Sequence, residues 1–263
     1  MDNFKEHIDD SINRWESNAA FWDDYMGDKS NQFHRELIRP FTETLLGNVT
    51  QHSILDIACG NGNFSRRLAE LGAKVLAFDS SQTMIDRAIK RSDHFIKHIE
   101  YKVIDATDYN ALVNLGVSNF HAAVSNMGLM DIADINPVIS ALTKLLKPSG
   151  SFVFSIVHPC FQTPGMKKYV EQEEVDNQIV ARSCIMTYKY LQSESHFGVG
   201  IRNQPIATRY FHRSLSALLK LCFEKGFVLD ALEEPSFKQN DHPGTFEWTD
   251  IPPVIIFRLK KQA

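Results

Sequence analysis

The chain has 263 residues with 28 basic and 32 acidic side chains, a formal net charge of −4. That length suffices for one large domain or two small ones around a sizeable core, and without a basic surplus neither nucleic acid nor an anionic membrane is the expected main partner. With 43% hydrophobic and 11% aromatic residues, the composition excludes a disordered or low-complexity chain.

Cys59, Cys160, Cys184 and Cys222 are far apart, with no CxxC pair and no zinc-like spacing. They suit a reducing compartment, and no metal is expected. The first residues are charged and lack the apolar core of a signal peptide. No apolar run approaches the roughly 20 residues of a membrane helix. The expectation is a soluble, cytoplasmic protein.

Residues 1–52 read as a helical extension. Ile8, Ile12, Trp15, Ala19 and Trp22 share one face of an amphipathic helix. A second helix is expected from Asn31 to about Leu46, bent or restarted at Pro40. From Ser53 the pattern alternates strand and helix. Strands are predicted at Ser53–Ile57, Lys74–Asp79, Ile99–Ile104, Phe120–Val124 and Ser151–Val157. Between them, Phe64–Leu71 is helical, Ser80 and its neighbours cap a helix carrying Met84 and Ile85, and Asp108 caps a short helix. Pro137 suits the first turn of a helix from Asn136 to Leu146. Continuously apolar strands alternating with helices indicate a parallel sheet covered on both faces. Residues 158–210 show no clean period and form an insert. A helix over His212–Lys225 and strands over Phe227–Leu232 and Pro253–Leu259 complete the pattern. The chain is thus one α/β unit: core 53–157 and 211–259, extension 1–52 and insert 158–210.

The segment from Leu55 to Phe64 contains Asp56, Gly60 and Gly62. Two glycines after a first strand let a ligand approach the main chain. Asp56 just ahead of them repels a pyrophosphate but attracts a cationic amino group. Asp79, ending the second strand, can accept hydrogen bonds from two ribose hydroxyls. Asp105, followed by Ala106, offers a further carboxylate to an adenine amino group. A ligand with a ribose, an adenine and a positive charge but no phosphate fits better than NAD. S-adenosylmethionine is such a ligand.

In order, Asp56-x-x-Cys-Gly60-x-Gly62, Asp79, Asp105-Ala106, the Asn126–Asp131 segment and the turn from Leu145 to Gly150 resemble the motifs of class I S-adenosylmethionine-dependent methyltransferases. The resemblance is close over 53–157 and holds in outline over 211–259. It implies a Rossmann-like, doubly wound, seven-stranded sheet, mostly parallel, with an antiparallel last strand. It implies Gly60 and Gly62 against the cofactor beside Ala58, with Asp56 near its methionine part. Asp79 would hold the ribose, Ser80 and Met84 would line the adenosine, and Asp105 and Ala106 would recognise adenine. Asn126 and Met127 would lie beside the methionine moiety. Cys59 stands where many relatives carry Gly and reads as a packing residue. A lid formed by the extension would bring Tyr25 or Met26 to the sulfonium, or else its aromatics staple the helix to the body. His158 is a candidate general base, with Tyr210 and His212 as weaker ones. The implied activity is methyl transfer to a small, moderately apolar acceptor. A nicotinamide-dependent oxidoreductase and a non-catalytic cofactor-binding protein are the alternatives.

Overall fold

The computed structural model describes residues 4–238 and 246–262. Helices α1 (Ile8–Met26) and α2 (Arg39–Leu46) lead into a run of alternating elements. These are β1 (Ser53–Ile57), α3 (Asn63–Glu70), β2 (Lys74–Asp79), α4 (Gln82–Arg91), β3 (Ile99–Val103), α5 (Tyr109–Val113), β4 (Phe120–Asn126), α6 (Asn136–Leu145) and β5 (Leu146–Val157). Two hairpins follow, β6 (Lys167–Val175) with β7 (Gln178–Met186) and β8 (Glu194–Gly198) with β9 (Thr208–His212). Then come α7 (Leu215–Glu224), β10 (Phe227–Glu233) and β11 (Val254–Lys261).

Seven strands make one sheet in the order β10-β11-β5-β4-β1-β2-β3. Strands β1 to β5 are mutually parallel, and β11 runs antiparallel between β5 and β10. The expected doubly wound sheet with an antiparallel last strand is therefore present. Both faces are covered. On one, Leu55, Ile57, Phe152, Phe154 and Phe257 pack with Ile139 and Leu142 of α6 and Leu218 of α7. On the other, Ile54, Val75 and Val124 pack with Leu68 of α3, while Val153 and Ile256 meet Leu37 and Leu45. Each such side chain, fully buried, contributes about 1.5–3 kcal/mol. That burial is why the strand sequences are apolar throughout.

The extension follows its pattern. α1 carries the predicted stripe, and α2 starts with Pro40 in its first turn. The restart has a definite form: His34–Ile38 is a π turn, with the Arg39 amide donating to the His34 carbonyl. A proline cannot donate to the ladder, and a π bulge is one way the chain takes up the shift.

Three sequence expectations need correction. Ser81, not Ser80, caps α4, its hydroxyl accepting from the Met84 amide. The helix expected from His212 begins at Leu215 behind the cap Ser214, because His212 completes β9. β9 therefore straddles the boundary drawn after residue 210. The insert is also regular where no period was visible. β6 is exposed along nearly its whole length and no residue of β7 is buried, so no alternation of polar and apolar residues marks them. Among the described residues, no helix is long and apolar enough to cross a membrane.

Candidate active site at the strand ends

Parallel strands place all their C-terminal ends on one edge, where β1, β2 and β4 stop at Ile57, Asp79 and Asn126. A cavity of about 840 Å³ opens there. α1 roofs it with Trp15, Trp22 and Met26, and the β8–β9 hairpin walls it with His196, Gly198 and Tyr210. The roof is tied down at both ends. Asp23 accepts from Arg87 (2.6 Å) and Arg91 (2.5 Å) of α4 and from Asn61 (2.9 Å) of the glycine loop. Asn18 exchanges hydrogen bonds with both backbone groups of Ile206.

Of the residues singled out from the sequence, Asp56, Ala58, Gly60, Asp79, Ser80, Met84, Asp105, Ala106, Asn126, Met127 and Tyr25 all line this cavity. Gly60, at φ +54°, has open space where a Cβ would stand. Gly62 does not line the cavity. It sits at φ +74° and caps α3, and a Cβ there would run into the Tyr101 ring and hydroxyl. Its lack of a side chain serves packing onto β3, not ligand approach. Two non-glycine residues also take left-handed backbone at this edge, Ala58 at φ +53° and Met127 at φ +58°. Such strain is held only where surrounding contacts fix it. Here the Met127 amide donates to both the carbonyl (3.0 Å) and the hydroxyl (3.0 Å) of Ser155.

The carboxylates are rigidly set. Asp79 accepts from the Gly60 amide (2.9 Å) and the Ser81 amide (3.0 Å), locking the glycine loop to the end of β2. Burial raises its pKa, those amides oppose the rise, and the charge on Glu16 adds to it. Asp56 accepts from the Ser65 hydroxyl at 2.5 Å. Burial pushes its pKa up to about 7, against Ser65 and with the help of the Asp79 charge. Asp105 accepts from the amide (2.8 Å) and hydroxyl (2.6 Å) of Thr107. Asn126 accepts from Thr42 of α2 at 3.0 Å. Tyr25 stands at the mouth with half its surface in solvent.

His158 does not line the cavity. It is buried at the end of β5, its Nε2 paired with Glu234 at 2.7 Å and its Nδ1 accepting from the Cys160 amide at 3.2 Å. Its ring packs on Phe161. Both nitrogens are used, so it acts as a strut between β5 and the segment after β10. Tyr210 faces the cavity, whereas His212 bonds the Tyr190 carbonyl at 2.8 Å outside it. Sequence reasoning expected residues 1–52 and 158–210 to wall the acceptor pocket but singled out none of Asp131, Trp15, Trp22 or His196 as a site residue, and all four line the cavity. The tryptophans read as the apolar stripe of α1, and only their indole N–H groups could have signalled more. His196 lay in the stretch without visible period.

Residues 54–150 match a family model described as a methyltransferase domain. A protein of Haemophilus influenzae is 23% identical over 85% of this chain and 86% of its own length. The ubiquinone biosynthesis O-methyltransferase of Bartonella tribocorum is 37% identical over 97 residues, covering 37% of this chain and 38% of that one. The chain thus spans less than half the length of that named relative. Among solved structures, an S-adenosylmethionine dependent methyltransferase from Mesorhizobium loti superposes with a TM-score of 0.64 at 22% identity. It covers 84% of this chain and 96% of that one, and this likeness is one of fold.

Proposed function

We propose, on the premise that residues 54–150 belong to the methyltransferase domain family, that this protein is an S-adenosylmethionine-dependent methyltransferase acting on a small molecule. The observation that carries the proposal is the carboxylate set on one cavity edge. Asp56, Asp79 and Asp105 follow successive parallel strands and surround the open face of Gly60. Three carboxylates would repel a dinucleotide's pyrophosphate, so the nicotinamide reading is not carried by the site. They suit a ligand with hydroxyl, amino and sulfonium groups. Asp79 has lone pairs left for two ribose hydroxyls after its two backbone bonds. Asp56 would take the amino group, Asp105 and Ala106 the adenine, Ser80 and Met84 the adenosine face. Ala58, Asn126, Met127 and Tyr25 would border the methionine portion.

When bound, the cofactor supplies an electrophilic methyl group on sulfur. The chain's own task is to aim a nucleophile along that bond and to keep water out. α1 excludes water by laying Trp15, Trp22 and Met26 over the cavity, latched through Asp23. Residues 1–52 and 158–210 are proposed as the acceptor walls of a single methyltransferase unit, whose apolar members Ile8, Ile12, Met166 and Ile201 fit an organic molecule better than a nucleic acid. The four thiols, all free, accord with a cytoplasmic setting.

Thermal melts test the cofactor. S-adenosylhomocysteine at about 100 times its Kd is expected to stabilise the fold by about 2.7 kcal/mol, and NAD by none. A larger shift with NAD would overturn the proposal. Transfer of labelled methyl to any acceptor would separate the enzyme from a binding protein.

A further inference from the structure

Buried polar groups are nearly always paired, and each exception asks for a reason. Among the described residues, six buried side-chain polar atoms have no hydrogen-bond partner. Four of them belong to residues lining the cavity: Trp22 Nε1 and His196 Nδ1, which have no polar partner, and Trp15 Nε1 and Asp131 Oδ1, of which the indole is turned on the carboxylate and lowers its pKa.

These residues form one wall. The Trp15 and Trp22 rings lie 5.3 Å apart on α1. His196 of β8 lies 5.8 Å from the Tyr210 ring of β9. The hairpin closes on α1 through glycines, since a Cβ on Gly200 would press on both the Tyr210 hydroxyl and the Trp22 ring. Asp131 sits in the turn after β4, which is pinned from both sides. Ser11 of α1 donates to the Asp131 carbonyl at 2.8 Å, and the Phe211 amide of β9 donates to the Met130 carbonyl at 2.8 Å. Extension, insert and sheet meet here.

The unpartnered atoms define what the wall can recognise. An indole N–H can only donate, so it needs lone pairs on its ligand. A protonated amine has none. The Asp131 carboxylate accepts. We infer that this wall is the acceptor subsite and that it takes an uncharged aromatic molecule bearing adjacent oxygens. One, a hydroxyl, donates to Asp131 and is methylated, while its neighbour accepts from the Trp22 indole N–H. The inference rests on the methyltransferase reading above. In the step, a lone pair of the hydroxyl oxygen forms the new O–C bond as the C–S bond breaks. The bonding pair goes to sulfur, leaving a neutral thioether, and the hydroxyl proton passes to the Asp131 carboxylate. Burial and the Asp79 charge hold the Asp131 pKa well above the usual carboxylate range, with the Trp15 indole opposing. Once ionised, such a carboxylate is a stronger base than an exposed one.

Catechol is the probe and benzylamine its protonated counterpart. In protein saturated with S-adenosylhomocysteine and 15N-labelled at tryptophan, catechol is expected to shift the indole N–H signal of Trp22, and benzylamine to leave it. With labelled S-adenosylmethionine, catechol is expected to be methylated. Asp131→Asn is expected to lower kcat about a hundredfold, and Trp22→Phe to weaken catechol binding about tenfold. An unmoved Trp22 indole signal, faster methylation of benzylamine, or an unchanged kcat in Asp131→Asn would each overturn the inference. Failure of S-adenosylhomocysteine to bind the same sample would instead overturn the methyltransferase reading. Retained S-adenosylhomocysteine binding by each variant shows that it has folded.

Discussion

Gly60 and Gly62 look alike in the sequence and do different work. Gly60 faces the cavity with nothing where a Cβ would stand, and Gly62 faces Tyr101. Gly62→Ala adds a clash to the roughly 1 kcal/mol that left-handed backbone costs an L residue. It should therefore lower Tm more than Gly60→Ala, whereas Gly60→Ala should weaken S-adenosylhomocysteine binding more. Adding Tyr101→Leu to Gly62→Ala should give less than the sum of the two losses, and strict additivity would refute the contact. Asp56 makes a pH prediction. Its folded pKa of about 7 lies above the ordinary aspartate value of 3.8. The folded form then binds more protons between those limits, and stability falls as pH rises through that window, by up to about 1.4 kcal/mol per unit. Asp56→Asn should flatten that decline in denaturant titrations from pH 4 to 7. The place of Asp56 and Asp79 on the cavity edge was legible because a glycine turn after a parallel strand gathers neighbouring strand ends at one site. The reason for Gly62 was not, since Tyr101 belongs to another strand.

At the level of elements, the lid is held by charge. Burial alone would raise the Asp23 pKa, but hydrogen bonds from Arg91, Arg87 and Asn61 bring it down to about 2. That stabilisation is complete above the unfolded pKa near 3.8 and is lost as pH falls through 2. Asp23→Asn leaves the size intact and removes the charge. It should lower stability by about 1–3 kcal/mol and speed hydrogen exchange in α1 relative to the sheet. Unchanged exchange in α1 would show that the latch does not hold the lid. α1 and the restart of α2 at Pro40 were readable, because an amphipathic stripe and a proline leave marks at helical spacing; the π form of the turn before it was not. The β6–β7 hairpin left none. None of its residues is buried, so nothing forces its side chains to alternate.

Across the whole molecule, the sheet was the most legible part, because burial on both faces demands unbroken apolar strands. The cavity wall around Asp131, the proposed acceptor subsite, was least legible, since it forms where three distant segments meet. The sheet supplies a cofactor edge, and the extension and insert close it into a cavity of about 840 Å³. The central claim is that Asp79 holds an adenosyl ribose on that edge. A calorimetric titration of S-adenosylhomocysteine into the wild-type protein and Asp79→Asn tests it most directly. One molecule bound per chain, with affinity at least about tenfold weaker in Asp79→Asn, is the expected result. No binding to the wild type, or equal affinity in the variant, would contradict it.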